Sequence, residues 1–471
     1  FESTINQINH LMFDCLAYRT AIKMLLCLSL CQGRKLPSKI TFQTLRCKHL
    51  MQAESGRASA AVKFDAEKIS GSSSRTGKLD LNPVKGTRDM YPEDMRLRSW
   101  LFSKFKTVAA NFSFEEYDAP VLESESLYIR KSGEEVTQQL YNFVDKGDRR
   151  VALRPEMTPS LARMVLLKRN ALNFPLKWFS LPQCWRYERM TRGRRREHYQ
   201  WNMDIWGVKG IEAEAELLAA IVNFFESVGL DSSDVGLKVN SRAILSEVLL
   251  QLKVPASKHA ATCVLIDKLE KIELSALKGE IEALDIDQTA IEKLVEITKE
   301  KSLESLEEML GKNSSALSDI RRLFSLSEAY GYKDWLTFDA SVVRGLAYYT
   351  GVVFEGFDRC GKLRAICGGG RYDELLDSFG GESIPACGFG FGDAVIIELL
   401  KEKNLLPDLK KSSVGSLVFA FEESLQAAAT SVATLLRKGG VSADLVLEGK
   451  KMKWAYKHAD RRGARFVCLV A

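Results

Sequence analysis

The chain has 471 residues, of which 46% are hydrophobic and 27% are charged, and its formal net charge is +6. This length exceeds one ordinary core and the composition excludes a disordered protein, so we expect two or three globular domains. The small net charge permits a nucleic-acid partner without arguing for one, because what matters is where the charge clusters. Ten cysteines and five histidines are scattered without a C-x-x-C pair. We therefore expect no disulfide framework and no metal site built from protein side chains.

Residues 1–78 have the composition of a targeting segment. Within residues 1–60 eight Lys/Arg stand against three Asp/Glu, and from Ser55 to Thr76 the chain is small and polar. A basic, acid-poor and Ser-rich leader is typical of an organellar transit peptide, here followed by a disordered linker. The apolar run Ala21–Cys31 leaves a secretory signal open as an alternative, but it is too short to span a bilayer. No other segment reaches membrane-spanning length, so we expect no membrane partner.

The body of the protein begins near residue 79. Apolar residues at helical spacing predict a helix over Met95–Ala110, after a proline and an acidic first turn. Phe114–Leu122 is typical of a strand, and the proline within it predicts an edge or interface position. Further predicted elements are the helices Ser160–Arg169 and Ile211–Val228 and the strands Leu176–Arg189, Tyr199–Val208 and Val235–Val239.

Residues 255–330 change character, because they are rich in Lys, Glu, Leu and Ser at helical spacing. This pattern predicts a helical insertion. Strand-like sequence returns over Trp335–Phe357, and Gly-rich turns are predicted at Gly368–Gly370 and Gly388–Gly392. After a linker, residues 413–471 alternate strand, helix and strand, which predicts a small α/β domain. Because the chain ends on a strand, we expect that domain to be truncated.

Residues 184–206 concentrate polar side chains on two predicted strands and arginines on the loop between them. Side chains alternate between the faces of a strand, which places Arg186 and Glu188 on one face of the first strand. By the same rule, one face of the second strand carries Gln200, Asn202 and Asp204. Around Gly193 the loop carries Arg189, Arg192, Arg194, Arg195 and Arg196.

A solvated hairpin whose arginines have no special role is the simpler interpretation of this segment. However, a solvent-facing hairpin has no reason to combine a polar strand centre with so many arginines. The planar guanidinium fits phosphate oxygens, so the cluster favours phosphate or nucleic acid. The strand, loop and strand resemble motif 2 of class II aminoacyl-tRNA synthetases. That resemblance implies that Arg186 binds the α-phosphate of ATP, with Glu188 and Arg194 at further ATP-binding positions.

Three other segments narrow the resemblance to the histidyl-tRNA synthetases. Val343–Thr350 is similar to the first signature of that family, Gly369–Asp373 to the second, and Leu153–Thr158 to a further element. Lys85–Asp89 and the region of Pro120 resemble the opening segment and the dimer-forming motif 1. These motifs are specific in combination, whereas any one alone would not be.

The resemblance implies an α+β fold with an antiparallel sheet flanked by helices, a helical insertion and a C-terminal α/β anticodon-binding domain. The leader would cover residues 1–78, the class II catalytic domain residues 79–403, and the anticodon-binding domain residues 413–471. The implied activity activates histidine with ATP to histidyl-adenylate and pyrophosphate, then transfers histidine to the 3′ end of tRNA(His). Mg²⁺ and a homodimer are also implied. With the leader, the synthetase body favours the chloroplast, the mitochondrion or both, and the cytoplasm is the alternative.

The same resemblance assigns site residues. Arg344 would contact the α-phosphate and the substrate carboxylate, and it forms the implied catalytic pair with Arg186. ATP would be bound by Arg186, Glu188, Arg194 and Arg344. The histidine site would comprise Glu156, Thr158, Gln200, Asp204, Tyr348, Tyr349 and Tyr372, with Tyr349 and Tyr372 near the imidazole.

The chemistry of adenylation fits these assignments. The ammonium of histidine needs carboxylate or amide oxygens, which Glu156, Gln200 and Asp204 can supply. Its carboxylate attacks the α-phosphate against mutual negative charge, which Arg186, Arg344 and Mg²⁺ would offset. Little acid–base chemistry is required, so the lack of a Cys/His or Ser/His pair agrees with the assignment.

Three positions depart from the family pattern, and one of them is Ala347, which stands where many members have Asp. Val395 stands where most members have the motif 3 arginine that holds the γ-phosphate, so an arginine of the motif 2 loop is expected to compensate. Asp204 stands where many members have the longer Glu. The glycines near Gly388 could suggest a dinucleotide fingerprint, but their late position favours a strand-to-helix turn.

Two other functions remain open. A non-catalytic paralogue would bind histidine or tRNA without aminoacylation; Val395 favours it, whereas the retained Glu156, Arg186, Gln200 and Arg344 oppose it. A class II synthetase for another amino acid is opposed by Arg344 and the adjacent tyrosines, because imidazole recognition needs polar rings and carboxylates.

Overall fold

A computed structural model describes residues 79–129, 137–269, 284, 286–298, 302–311, 314–342, 348–409 and 414–471. The expected transit peptide and linker over residues 1–78 and the expected catalytic Arg344 lie outside the described residues. The chain divides into a larger unit, Asn82–Leu409, and a second unit of Phe1–Leu81 with Lys410–Ala471.

The described residues form helices and strands in both units. The helices are α1 Pro92–Asn111, α2 Ser126–Ile129, α3 Thr158–Lys168, α4 Glu212–Ser227, α5 Arg242–Gln251, α6 Ala256–Leu269, α7 Gln288–Thr298, α8 Leu303–Leu310, α9 Ser315–Tyr330, α10 Asp393–Glu402, α11 Gln426–Lys438 and α12 Met452–Arg462. The strands are β1 Glu115–Glu116, β2 Leu122–Ser124, β3 Tyr141–Val144, β4 Arg150–Leu153, β5 Leu176–Ser180, β6 Gln183–Trp185, β7 Glu197–Trp206, β8 Val235–Ser241, β9 Leu336–Phe338, β10 Val352–Asp358, β11 Cys367–Arg371, β12 Ala386–Gly392, β13 Ser416–Ala420, β14 Ala443–Leu445 and β15 Phe466–Val470.

A nine-stranded sheet forms the centre of the larger unit, in the order β1-β5-β7-β12-β11-β10-β8-β9 with β6 paired to β7. The pairs β1–β5 and β8–β9 are parallel and the other pairs are antiparallel. Phe105 of α1 and Phe224 of α4 pack on Trp201 of β7, with ring centroids 4.8 and 5.8 Å away. The expected sheet flanked by helices is therefore confirmed, with the apolar side chains of β7 in the core.

Two predicted strands are wrong because prolines and loop contacts interrupt them. Phe114–Leu122 splits into β1 and β2, and the intervening loop is held by Arg154, whose Nη1 donates to Ala119 O at 2.6 Å. Leu176–Arg189 splits into β5 and β6 around Pro182, which has no backbone N–H for a sheet bond. Arg186 and Glu188 lie beyond the end of β6, so strand alternation does not fix their common face.

The Gly-rich turns predicted at Gly368–Gly370 and Gly388–Gly392 are also wrong, because these residues belong to the central strands β11 and β12. A Cβ on Gly369 would lie 2.2 Å from the carbonyl oxygen of Gly388. A Cβ on Gly388 would lie 2.2 Å from a carboxylate oxygen of Asp204. Glycine therefore keeps space above the sheet for neighbouring groups rather than turning the chain.

A separate three-stranded antiparallel sheet, in the order β2-β4-β3, lies within the larger unit. Apolar side chains of this sheet and its flanking residues are between 40% and 54% exposed, namely Val121, Leu122, Ile129, Phe143 and Val144. Apolar surface concentrated in this way is typical of an interaction site.

The described part of residues 255–330 is helical, comprising α6 to α9. Serines at the N-caps of α8 and α9, Ser302 and Ser314, each accept a bond from a backbone N–H in the first turn. Gly331 ends α9 in the left-handed conformation. Within the described residues, no helix combines the length and the apolar character needed to cross a membrane.

The described C-terminal residues 414–471 build a parallel three-stranded sheet in the order β14-β13-β15. Strand alternation directs Leu417 and Phe419 towards one cluster with α12, and Val418 towards another with α11. Helix α12 was not among the elements predicted from the sequence. Parallel strands need a crossover between them, and α11 and α12 supply both crossovers.

Candidate functional site

The polar face of β7 lies beside the glycines of β12. Asp204 pairs in register with Gly388, and Asn202 with Gly390. The Gln200 amide would lie 3.2 Å from a Cβ on Gly390, so the absent side chains leave room for Gln200 and Asp204. The sheet thus presents two of the expected histidine-binding side chains over a surface kept clear by glycine.

Asp204 is almost fully buried and is hydrogen bonded to Tyr372, whose hydroxyl donates to Oδ1. Burial raises the pKa of the Asp204 carboxyl to about 7, although the bond from Tyr372 acts to lower it. Oδ2 is buried without a hydrogen-bond partner. The site therefore holds an acceptor that is free to bind a ligand and is close to titrating at neutral pH.

A second buried carboxylate, Glu156, is joined to Asp204 through hydrogen bonds and ring contacts of the tyrosines. The hydroxyl of Tyr348 donates to Glu156 Oε2 at 3.1 Å. The Tyr348 ring lies 5.8 Å from that of Tyr372, edge to face, and 5.0 Å from that of Tyr349. Of the seven residues expected to bind histidine, this aromatic cluster joins Glu156, Asp204, Tyr348, Tyr349 and Tyr372.

The two remaining expected residues lie at the edge of this set. Thr158 is buried in the first turn of α3, and its side chain is hydrogen bonded to Tyr348. Gln200 is half-buried on β7 and accepts a weak bond from Cys184 Sγ at 3.7 Å. Gln200 and Asp204 are four positions apart, which is about 13 Å along β7.

Arg186 connects this pocket to the arginine loop. Its Nε donates to the carbonyl oxygen of Pro155 at 3.0 Å, next to Glu156. Its backbone N–H donates to Arg196 O at 2.9 Å and thereby closes the base of the loop. A fixed guanidinium beside the amino-acid pocket is suited to a phosphate that must meet the amino-acid carboxylate.

The loop arginines differ in their partners. Glu188 is buried and ion-paired with Arg194, while Arg192 points towards α10 and pairs with Glu402. The Arg196 guanidinium stacks 3.8 Å from the centre of the Tyr187 ring. Gly193 forms the tip with a φ of +74°, a conformation that favours glycine.

A network that was not predicted ties the opening segment to motif 3. The Arg88 guanidinium donates to Asp393 Oδ2 at 2.9 Å, and Arg88 N–H donates to Glu197 Oε1 at 3.1 Å. Asp393 also accepts from Tyr199 N–H at 3.1 Å. Burial raises the pKa of Asp393, whereas Arg88 and, more weakly, Arg195 lower it. The Lys85–Asp89 motif was the only sequence signal for this network. The acidic partners of Arg88, Glu197 and Asp393, are too distant in sequence to be predicted from it.

Val395 lies against the tip of the loop. Val395 is largely buried at the start of α10. A Cβ added to Gly193 would lie 3.4 Å from Cγ2 of Val395. The residue at the motif 3 position thus supports the loop by packing and offers no charge to a ligand.

Cysteine and histidine near the loop are unsuited to nucleophilic chemistry. Burial raises the pKa of Cys184 to about 12, and burial lowers the pKa of His198 to about 3. Both side chains are therefore neutral near pH 7. In the part of the chain that the structure describes, no three His, Cys, Asp or Glu side chains converge as metal ligands.

Comparison with known proteins gives a consistent result. The histidyl-tRNA synthetase family model matches residues 86–393, and the anticodon binding domain model matches residues 409–471. The chain is 58% identical over 393 residues to the histidine–tRNA ligase, chloroplastic/mitochondrial, of Arabidopsis thaliana, covering 83% of this chain and 81% of the relative. It is 39% identical over 396 residues to the histidine–tRNA ligase of Leptospira biflexa, covering 83% and 90%.

The crystal structure of histidyl-tRNA synthetase from a Nostoc species superimposes with a TM-score of 0.66 at 24% identity, covering 83% of this chain and 91% of that one. At this identity the likeness supports the fold alone. The mixed α+β architecture and the C-terminal domain agree with it.

Proposed function

The chain belongs to the histidyl-tRNA synthetase family, and we propose that the pocket and arginine loop of its larger unit activate histidine with ATP and load it onto tRNA. The activity is that of a histidine–tRNA ligase, and it is carried by one observation above the others. A pocket with two buried carboxylates and three tyrosines lies directly beside Arg186. The non-catalytic paralogue is not favoured, because relatives at 58% and 39% identity are ligases.

Histidine would lie along β7 with its ring towards Asp204. The ammonium then falls near Glu156, Thr158 and Gln200, whose carboxylate, hydroxyl and amide oxygens can accept hydrogen bonds from its three N–H groups. The Tyr372–Asp204 bond supports the ring position, because a carboxylate oxygen left free by Tyr372 can accept an imidazole N–H. This division differs from the sequence expectation, which also assigned Asp204 to the ammonium.

ATP would bind beside Arg186, so that this guanidinium lies where the α-phosphate meets the histidine carboxylate, with Arg344 as the second arginine that the family resemblance implies. The arginines offset the repulsion between two anions and stabilise charge that develops on the phosphoryl oxygens. Glu188 and Arg194 would bind the nucleotide once their mutual ion pair opens. Mg²⁺ would be held chiefly by phosphate oxygens, and Glu188 on the loop could add a carboxylate oxygen once it separates from Arg194. Such a site needs no cluster of protein ligands, so the described residues are compatible with it.

Arg195 is proposed as the replacement for the motif 3 arginine. Its side chain is exposed, and its charge acts on Asp393, two residues before Val395. Arg192, in contrast, is held by Glu398 and Glu402 on α10. Arg195 is therefore better placed to reach a γ-phosphate near the start of α10.

Transfer to tRNA would involve both units. The loop arginines are suited to the acceptor end, and the second unit matches an anticodon binding domain. In that unit, α12 exposes Trp454 and Tyr456 among Lys453 and Lys457, a pattern that favours single-stranded bases and phosphate.

A homodimer and an organellar location complete the proposal. The exposed apolar side chains of the β2-β4-β3 sheet support a dimer surface, since water-facing apolar area of this kind is unusual in a monomer. The name of the Arabidopsis relative supports the chloroplast, the mitochondrion or both. Light scattering of the purified protein and a fluorescent fusion of residues 1–78 would test these two points.

The central experiment is histidine-dependent exchange of pyrophosphate into ATP. Exchange with histidine and with no other amino acid is the expected result. Absence of exchange by a folded protein that still binds histidine would contradict adenylation and favour the non-catalytic paralogue. Charging of tRNA(His) transcript then tests the second step.

A further inference from the structure

Tyr117 follows the short edge strand β1 and was not singled out by any motif. Its backbone N–H donates to Phe179 O at 2.9 Å, which fixes the residue against β5. Its ring lies 5.7 Å from that of Trp178, the β5 residue paired in register with Asp204. Tyr117 also packs against the apolar cluster that contains Tyr372. The sheet therefore places Tyr117 next to the ring end of the histidine pocket.

Several buried polar atoms at this end of the pocket lack partners, among them Ser180 Oγ, Asn202 Oδ1 and Trp206 Nε1. The hydroxyl of Tyr117 and Oδ2 of Asp204 are both buried without a hydrogen-bond partner. Burial raises the pKa of Tyr117 well above its ordinary value, and the negative charge of Asp204 raises it further. The two groups thus interact electrostatically, yet neither satisfies the other. Buried polar atoms are rarely left unpaired in a folded protein, so two such oxygens that interact electrostatically are candidates to share one ligand.

We propose that the Tyr117 hydroxyl is a specificity-determining contact that, together with Asp204 Oδ2, binds the two ring nitrogens of a neutral imidazole. A neutral imidazole offers one N–H donor and one bare nitrogen acceptor. Asp204 accepts from the N–H, and the phenol of Tyr117 donates to the bare nitrogen. The inference rests on the proposed function, because it takes histidine as the substrate of this pocket.

The proposal also explains a departure from the family pattern. Asp204 is one methylene shorter than the Glu found in many members, so its carboxylate reaches less far into the pocket. Oδ1 is already occupied by Tyr372, which leaves a single oxygen for the ring. A second contact from Tyr117 restores recognition of both nitrogens without lengthening the acid.

The first test is Tyr117→Phe, which removes the hydroxyl and keeps the ring that packs on Trp178. We expect the KM for histidine in pyrophosphate exchange to rise about ten-fold, with kcat and the KM for ATP changed less than about two-fold. Tyr332→Phe is the matched control, because it removes a buried hydroxyl that donates to Ala215 O, away from the pocket. Its kinetic constants should equal those of the unmodified protein.

The second test pairs the variant with a pyrrole analogue of histidine that keeps the ring N–H and lacks the other nitrogen. The unmodified protein should lose about ten-fold in affinity for the analogue, and Tyr117→Phe should lose nothing more. Equal histidine KM values for Tyr117→Phe and the unmodified protein would overturn the inference. A water bridging the Tyr117 hydroxyl and Asp204 Oδ2 would then account for the two unpaired oxygens. That outcome keeps the proposed function, whereas absence of histidine-dependent exchange in the unmodified protein would overturn both.

Discussion

The proposed histidine pocket and the arginine loop satisfy their polar groups in opposite ways. In the pocket, Glu156 and Asp204 are buried, and each is hydrogen bonded to a tyrosine on another segment of the sheet region. In the loop, Arg192 is largely exposed and bound to acids of α10. The pocket is therefore organised before its ligand arrives, whereas loop ion pairs at the surface are weak and exchangeable.

This difference suits the two kinds of substrate. A small amino acid must be distinguished from others by fixed donors and acceptors, and strands hold such groups more accurately than loops do. Phosphates carry high charge and must be bound and released in each cycle, so flexible guanidinium groups that trade one anion for another are adequate. The predictions below test whether the pocket determines specificity for histidine while the arginines determine the rate of adenylation.

The largest effect is expected for Arg186→Ala. Removal of the guanidinium should lower kcat for pyrophosphate exchange about 10²–10³-fold, because charge on the phosphoryl oxygens loses a preorganised donor. The KM for histidine should change by less than about three-fold, since the pocket carboxylates are untouched. Arg192→Ala is the loop control and should stay within about two-fold of the unmodified rate. A similar loss in both variants would mean that the loop acts through its overall charge.

Gly388→Ala should damage the pocket without removing any charged group. The new Cβ would lie 2.2 Å from Asp204 Oδ1 and 2.8 Å from the backbone oxygen of Met203, so Asp204 must move. We expect the KM for histidine to rise on the order of 10²-fold, because a displacement of about 1 Å is costly in a preorganised site. Gly392→Ala is the matched control, since no atom lies within 4 Å of its Cβ. Thermal unfolding of both variants will separate loss of binding from loss of fold.

Asp204→Asn should alter the pH dependence of histidine binding. Burial raises the pKa of Asp204 to about 7, so the carboxylate that accepts the ring N–H forms as the pH rises through that value. The ratio of histidine KM values, variant over unmodified, should therefore grow about ten-fold between pH 6 and pH 8. The ratio cancels the titration of free histidine itself. A ratio independent of pH would place Asp204 away from the ring.

Asp204→Asn should also change how the stability of the ligand-free protein depends on pH. The folded-state pKa is raised above the ordinary value of 3.8, so the stability associated with Asp204 is fully present below that value and is lost as the pH rises towards 7. Asparagine carries no such charge. The Tm advantage of Asp204→Asn in the ligand-free protein should therefore increase from pH 5 to pH 8, as measured by calorimetry.

The smallest effect is expected for Arg195→Ala. If Arg195 replaces the motif 3 arginine, its loss should raise the KM for ATP by about three- to ten-fold and leave the KM for histidine unchanged. Arg189→Ala provides a comparison, because Arg189 is another exposed arginine of the same loop. Equal changes in both variants would contradict a specific role for Arg195 and leave Val395 without compensation.

The sequence alone determined which functional motifs and side chains this protein carries. Motif 2, the glycine-rich signature and the helical insertion are local patterns, so they could be recognised without knowing which segments meet. The sheet flanked by helices followed from that recognition and is confirmed, although two of its strand pairs are parallel and the sheet is therefore mixed. Periodicity alone also located α1, α4 and β7 to within a few residues.

Only the tertiary structure decided how these residues are used. The glycines at 369 and 388 were interpreted as turns, because turn and clearance roles look the same until the atoms above them are known. Arg88 meets Asp393 across 305 positions, and Tyr117, just after an edge strand of two residues, packs beside Trp178 and the cluster that contains Tyr372. Such pairings depend on the register and order of strands, which long-range packing fixes and local sequence does not.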